Sequence, residues 1–302
     1  MFIIKHKKIF ISISIGLVVL SILLLSVFGL RFGIDFKGGA LTEITYPNTV
    51  PESVQIQEAI KPLNIGEVVI QPTGTNGYIL KSKDLTESER VSFFQALTLG
   101  GQYQVEEKSF NSIGPSIGME LRKKAIVALS AVILAIILFI AYAFRKVSRP
   151  VSSWKYGIIA VVTLLHDVAI PVGFFTLMSH YNHVEVDTLF VVAVLTILGL
   201  SVSDTIVVFD RIRENIKSHV FADFRETVGK SLEQVYTRSI NTSLTVILVL
   251  LSLYFFGPPS TKYFALMLSA GMFFGTYSSI FLASPLLVWV QEWQDRKQSK
   301  KK

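Results

Sequence analysis

Two aspartates stand where a carboxylate is costly. Asp167, in "LLHDVAI", and Asp204, in "LSVSDTIVVF", each interrupt a run long and apolar enough to cross a bilayer. An ionisable side chain at such a place costs at least about 2.5 to 3.5 kcal/mol, so it faces protein or water and marks a candidate site. Such a group can load and release protons, or it can tie helices together by hydrogen bonds. Around Asp204, Gly199 and Ser203 have a small-residue spacing that lets another helix come close, and together with Ser201 they would also let water reach the carboxylate. Proton relay and helix tether both fit Asp204. Asp167 has His166 beside it. That imidazole could pass a proton on, or the two could form a buried pair holding the third and fourth spans.

The elements that must position these residues are membrane helices. Of 302 residues, 51% are apolar, and the mean hydropathy is +0.52, well above a water-soluble fold. Runs long enough to span about 30 Å of hydrocarbon cover Ile9 to Leu30, Ala125 to Phe144, Tyr156 to Met178, Thr188 to Phe209, Ile240 to Phe256 and Tyr263 to Val290. The first exceeds a signal-peptide core and lacks an A-x-A-like cleavage site, so it reads as a retained anchor. Lysine and arginine crowd one side: Lys5, Lys7 and Lys8; Arg145, Lys146, Arg149 and Lys155; Arg211 to Arg238; and the terminal "KKK". The opposite connection "SHYNHVEVD" has none. Both termini are therefore expected in the cytoplasm. Arg122, Lys123 and Lys124 break the pattern, at the end of a long segment where the bias is weak. The formal charge of +7 is a topology signal, and no nucleic-acid partner is expected. With no cysteine in the chain, disulfides, thiolate metal sites and cysteine nucleophiles are excluded.

Between spans one and two, residues 31–123 have the composition of a small exterior domain. "ALTEITY" alternates like a half-buried strand. "PESVQIQEAIKPL" opens with a proline suited to a first helical turn, with Val54, Ile56 and Ile60 apolar. "GEVVIQP" and "GYILKS" flank "TGTN", a hairpin signal. Thr86 and Glu89 have capping-box spacing before an apolar run, and "QYQVEEKSF" returns as a strand. The order β-α-β-β-α-β predicts a ferredoxin-like α+β domain. It offers no nucleophile-base pair, and Glu106 with Glu107 reads as a solvated strand end. The remaining division is 1–30 for the amino terminus and span one, 124–291 for spans two to six with a cytoplasmic amphipathic helix at about 211–237, and 292–302 for a basic tail.

Span one opens onto "RFGIDFKGGA", where Gly33, Gly38 and Gly39 surround Asp35. Glycine allows positive φ and close approach of chains, so this is a tight shaped junction or an interfacial loop. "GIDFKGG" resembles the signature that opens the exterior domains of the SecD/SecF family of bacterial protein-export membrane subunits. "NSIGPSIGMELRKKA", "LLHDVAI", "LGLSVSDTIVVFDRIREN" and "TRSINTSLTVILVLL" resemble that family's segments entering or lying in spans two to five, in order. The short exterior segment and "VVFDRIREN" resemble the SecF branch more than the SecD branch.

The resemblance implies an all-α six-helix membrane bundle, half of a resistance-nodulation-division (RND) architecture, carrying the small α+β domain outside. It implies a non-enzymatic subunit of the Sec translocase in the bacterial cytoplasmic membrane. There it would act with SecD beside the SecYEG channel, with YajC and YidC as further partners, a translocating preprotein as cargo and protons as drive, and without a cofactor. It carries proton passage to Asp204 and Arg238, although Arg238, at the edge of span five, could also snorkel to the interface. An RND-type half-transporter for a lipid or small solute is the alternative. It would need a larger exterior.

Other signals carry less. Intramembrane aspartyl proteases resemble one another in G-x-G-D, whereas this chain has "SVSD", and Asp167 follows His166 rather than tyrosine. "VGKS" lacks the earlier glycine of a phosphate loop, since Phe224 stands there. It reads as part of the amphipathic helix along the inner membrane surface, with Asp223 and Glu226 at capping-like spacing and Phe224, Val228, Leu232 and Val235 on one face. Gly271 and Gly275 in "GMFFG" form a close-packing motif, for a neighbouring helix or a partner subunit. His180 and His183 are too few to hold a metal.

Overall fold

The computed structural model describes residues 2–144, 152–219, 221 and 223–299. Contacts divide the chain into two compact units, Met1–Arg31 with Ala128–Lys302, and Phe32–Val127.

In the second unit, α3 (Ile34–Lys37) precedes β1 (Gly39–Thr45), α4 (Ser53–Ile60), β2 (Val69–Thr73), β3 (Gly77–Ser82), α5 (Glu87–Leu97) and β4 (Glu106–Ile113). The four strands form one sheet, ordered β2-β3-β1-β4, with every neighbouring pair antiparallel. Ile44, Leu80, Ile56, Phe93 and Leu97 make its core. Tyr46 and Tyr78 are buried in that core and turn their hydroxyls to the Leu97 and Pro51 carbonyls, at 3.0 and 2.7 Å. The Thr86–Glu89 capping box forms. Hydrogen bonds from Lys83, then from Thr86, hold the Glu89 carboxyl down at about 2. Pro51 lies outside α4, whose N-cap is Glu52, and Val54 is exposed. Of the junction glycines, Gly38 (φ 81) and Gly39 (φ 142) need their glycine conformations. A Cβ on Gly38 would come within 2.7 Å of Pro115 Cα, and one on Gly39 within 2.7 Å of the Ser82 carbonyl oxygen. Gly33, the N-cap of α3 with φ −77, has no such need.

Among the described residues, six helices are long and apolar enough to cross a membrane. They are α2 (Lys7–Phe28), which follows the short α1 (Phe2–Lys5), then α6 (Pro115–Ala143), α7 (Ser153–Tyr181), α8 (Thr188–Lys217) and α9 (Phe224–Phe256). The sixth comprises α10 (Lys262–Ser278), a π-helical segment (Ser279–Ala283) and α11 (Ser284–Ser299). All but the first outrun the apolar stretches that announce them. "ELRKKA" and "DRIREN" contain strong helix formers, so charge there ends the apolar run without ending the helix. In the sixth, Pro285 has no N–H and would clash with a carbonyl one turn back, and a wider π turn relieves this.

The amphipathic helix at about 211–237 does not exist as a separate element. Arg211 to Lys217 finish α8, and Phe224 onward begins α9, a single helix of 33 residues, about 50 Å long. No proline or turn sequence divides it, and Gly229 alone costs only about 1 kcal/mol. Val228, Leu232 and Val235 are buried, while Asn215 on α8 donates to Ser231 and Gln234 on α9, both at 2.8 Å. That face packs on helix, not on a membrane surface. The bases Arg145, Lys146 and Arg149 and the terminal lysines lie outside the described residues.

Candidate functional site

α7 packs against α2, α8 and α10, and α10 packs against α8 and α9. Close approach is possible because side chains are missing at the crossings. A Cβ on Gly271 would come within 2.3 Å of Ile197, and one on Gly275 would lie 3.5 Å from Ser201 Cβ. The "GMFFG" glycines thus seat α10 on α8 within the same chain. Gly173, which the sequence reading passed over, does the same for α7 and α2, where a Cβ would meet Ser21 Cα at 2.7 Å. The Gly199–Ser203 pair does not seat a helix of this chain. Both residues are exposed, and a Cβ on Gly199 would meet nothing within 4 Å. The α8 face that approaches α10 is the one carrying Ile197 and Ser201.

This packing brings three helices onto Asp167, whose side chain is fully buried. Its Oδ1 accepts from His166 Nδ1 at 2.8 Å. Its Oδ2 accepts from Ser201 on α8 and from Ser278 on α10, the latter at 2.7 Å. The carboxylate therefore fastens α7, α8 and α10 together. Pro171, four residues on, has no N–H for the Asp167 carbonyl, which loosens the helix ladder at the same level. The His166 ring lies nearly parallel to Tyr277, with centroids 6.2 Å apart. Neither His166 Nε2 nor the Tyr277 hydroxyl has a hydrogen-bond partner among the described residues.

Asp204, one helical turn beyond Ser201, is only partly buried. Its Oδ2 accepts from Ser279 Oγ at 2.6 Å. Two consecutive serines, where α10 becomes the π segment, thus serve two carboxylates on two different helices. Ser278 Oγ is also 2.9 Å from the Gly275 carbonyl, and Ser279 Oγ is 3.0 Å from the Thr276 carbonyl. A hydroxyl has one hydrogen to donate, so each serine chooses between a carboxylate and its own backbone.

Asp204 opens on a cavity of about 170 Å³ whose polar lining includes Ser203, Arg238, Ser239, Thr242 and Thr276. That is room for several waters. Arg238, exposed on α9, lines the same cavity as Asp204, and no ion pair joins the two among the described residues. The sequence places Ser201 beside Asp204 and does not reveal it as a donor to Asp167, nor Ser278 and Ser279 as site residues. The one available signal was a sixth apolar run too long for a single crossing and ending in "SP". His183 accepts from Arg31 Nη1 at 2.6 Å, and the His180 ring lies tilted against Phe28, with centroids 4.3 Å apart. Among the described residues no cluster of three metal-ligating side chains occurs.

The profile described as "Protein export membrane protein SecD/SecF, C-terminal" matches residues 95–293, and that of the "SecD/SecF GG Motif" matches residues 23–48. "Protein translocase subunit SecF" of Thermobaculum terrenum is 40% identical, over 97% of this chain and 94% of that one. Its counterpart in Anaerolinea thermophila is 35% identical, over 97% and 96%. The crystal structure of SecDF, a translocon-associated membrane protein from Thermus thermophilus, superposes with a TM-score of 0.81 at 28% identity. There the match covers 96% of this chain but only 38% of the longer one. On these matches, two of them nearly end to end, the chain belongs to the SecD/SecF family of protein-export membrane proteins.

Proposed function

We propose that this chain is a SecF-type subunit of the Sec protein translocase that works with a SecD subunit to draw protein export from the proton motive force. The observation that carries the proposal is Asp204. It is a carboxylate within a membrane helix, facing a partly polar cavity shared with Arg238 and held by a serine that has a second acceptor. An ionised Asp204 holds the Ser279 hydroxyl. A protonated Asp204 is a weaker acceptor, and Ser279 turns to the Thr276 carbonyl, freeing α8 from the sixth helix at that point. Asp167, sealed from solvent, keeps the helices in register while this happens; His166 belongs to that buried pair.

Four finer readings go with this. The strand order β2-β3-β1-β4 with two helices supports a ferredoxin-like arrangement for the exterior domain, residues 31–123, attached to a membrane domain of residues 124–291. Coverage of only 38% of SecDF supports one half of an RND-type pair, the other half being SecD. The lysine and arginine bias supports a bacterial cytoplasmic membrane location with both termini inside. All three tryptophans, Trp154, Trp289 and Trp293, line one groove with Lys155 at that same end, as an interfacial aromatic belt would. SecYEG, YajC, YidC and the emerging preprotein are the partners this role entails, and Gly38 and Gly39 form the junction that transmits movement outward.

The test is export into inverted vesicles from cells whose only copy is Asp204→Asn. The component of translocation that requires a proton gradient disappears, while the component driven by ATP alone stays. Unchanged gradient-dependent export in that variant would end the proposal.

A further inference from the structure

At the end of the bundle where α2 begins and α11 ends, five bases converge on one cavity of about 450 Å³: Lys5, Lys7, Lys8, Arg225 and Arg296. They arrive from three separate places in the chain: the α1–α2 segment, the first turn of α9 and the last turns of α11. One acid lines the cavity, Glu292, and the buried Lys7 takes it in an ion pair. Lys5, Lys8, Arg225 and Arg296 are exposed, and none pairs with a carboxylate among the described residues. Solvated lysines that merely mark topology need not converge. Here four cations border one cavity without a carboxylate partner among the described residues, which favours an anion between them.

A second cavity, of about 440 Å³, adjoins the first along the same segments. Residues 5–9 line the basic cavity, while Phe2, Ile3 and Ile4 just before them line the other. On α9, Arg225 lines the first, and Gly229, Leu232, Tyr236 and Ile240 continue along the second. This second cavity is mostly apolar, its one acid, Glu233, being paired with Lys230 at 2.9 Å, and its floor includes Ile280 and Phe281 of the sixth span.

We propose that these two cavities form one binding site for an anionic glycerophospholipid, with the headgroup phosphate among the four free bases and an acyl chain along the apolar cavity beside α1. A free phosphate would satisfy the bases but leave the hydrocarbon surface uncovered. A zwitterionic lipid would cover that surface but leave the bases uncompensated. The position suits a lipid, because α2 starts here and a headgroup layer must lie at this level. The orientation proposed above makes it a lipid of the cytoplasmic leaflet, and the site itself does not depend on that orientation or on proton relay.

The test uses the purified chain in mild detergent, with native mass spectrometry reading the lipid retained. Phosphatidylglycerol is titrated against phosphatidylcholine of the same acyl chains, and separately against inorganic phosphate. Retention of phosphatidylglycerol over phosphatidylcholine, undisturbed by millimolar phosphate, is expected. Alanine at Lys5, Lys8, Arg225 and Arg296, singly and together, lowers that preference by about fivefold per base removed, and Lys→Arg exchanges keep it. Equal retention of the two lipids by the parent chain, displacement by phosphate alone, or an unaltered preference in the fourfold variant would each overturn the proposal. The first two need no variant, so misfolding cannot mask the answer.

Discussion

Ser278 and Ser279 differ in which carboxylate they serve, and that difference separates the two aspartates. Asp167 collects three donors in a place without solvent, and removing it strands polar groups that cannot reach water. Asp167→Leu should leave the His166 Nδ1–H without an acceptor, at about 1 to 3 kcal/mol, and should turn Ser201 and Ser278 back onto their own helices, so thermal unfolding in detergent should show a clear fall in Tm. Asp204→Asn should leave Tm near the parent value, because the side chain borders a cavity and Ser279 keeps the Thr276 carbonyl. Equal losses in the two variants would deny the division of roles. Both aspartates were legible in the sequence, since a carboxylate inside an apolar run is conspicuous. The serines were not, because a serine in any helix can satisfy itself on a carbonyl one turn back, and nothing in its type shows whether it does. For the same reason the sequence ranked Asp204 above Asp167 without showing that Asp167 holds the centre of the hydrogen-bond network.

Helix contacts here depend on which glycines face a neighbour, and spacing alone does not say so. Gly199 with Ser203 has the right interval but nothing lies within 4 Å of where a Gly199 Cβ would be, whereas Gly173, with Ala169 four residues before it, has the same interval and sits against Ser21 Cα. Gly173→Ala should therefore cost about 1 to 3 kcal/mol, since Ser21 Cα cannot yield as a side chain would. Gly199→Ala should leave the stability of the purified chain unchanged or raise it by up to about 1 kcal/mol. Paired chemical or thermal melts would show the ordering, and a reversed order would mean that α2 and α7 are not packed as described. The strand and helix order of the α+β unit was readable because alternation, a hairpin loop and the Thr86–Glu89 cap all agree. The supposed surface helix at 211–237 was misread because its polar residues suggested a break. A long helix accepts them when Asn215, Ser231 and Gln234 satisfy one another.

Over the whole molecule, the exposed apolar faces of α2, α6 and α9 leave surface for lipid or a partner, while α7, α8 and the sixth span form the inside. What converts a proton gradient into movement in such a bundle must be a group that water reaches and that changes a helix contact when it titrates. In the proposed role Asp204 would meet both conditions, whereas Asp167 fails the first because it is sealed from solvent, so proton uptake should follow one residue. The most direct measurement is the infrared carboxyl stretch of the chain reconstituted with its SecD partner, recorded as the pH is stepped, for the parent, Asp204→Asn and Asp167→Asn. The account predicts a membrane-embedded carboxylic-acid band that grows on acidification, survives in Asp167→Asn and is missing in Asp204→Asn. The same titrating band in Asp204→Asn as in the parent would contradict it.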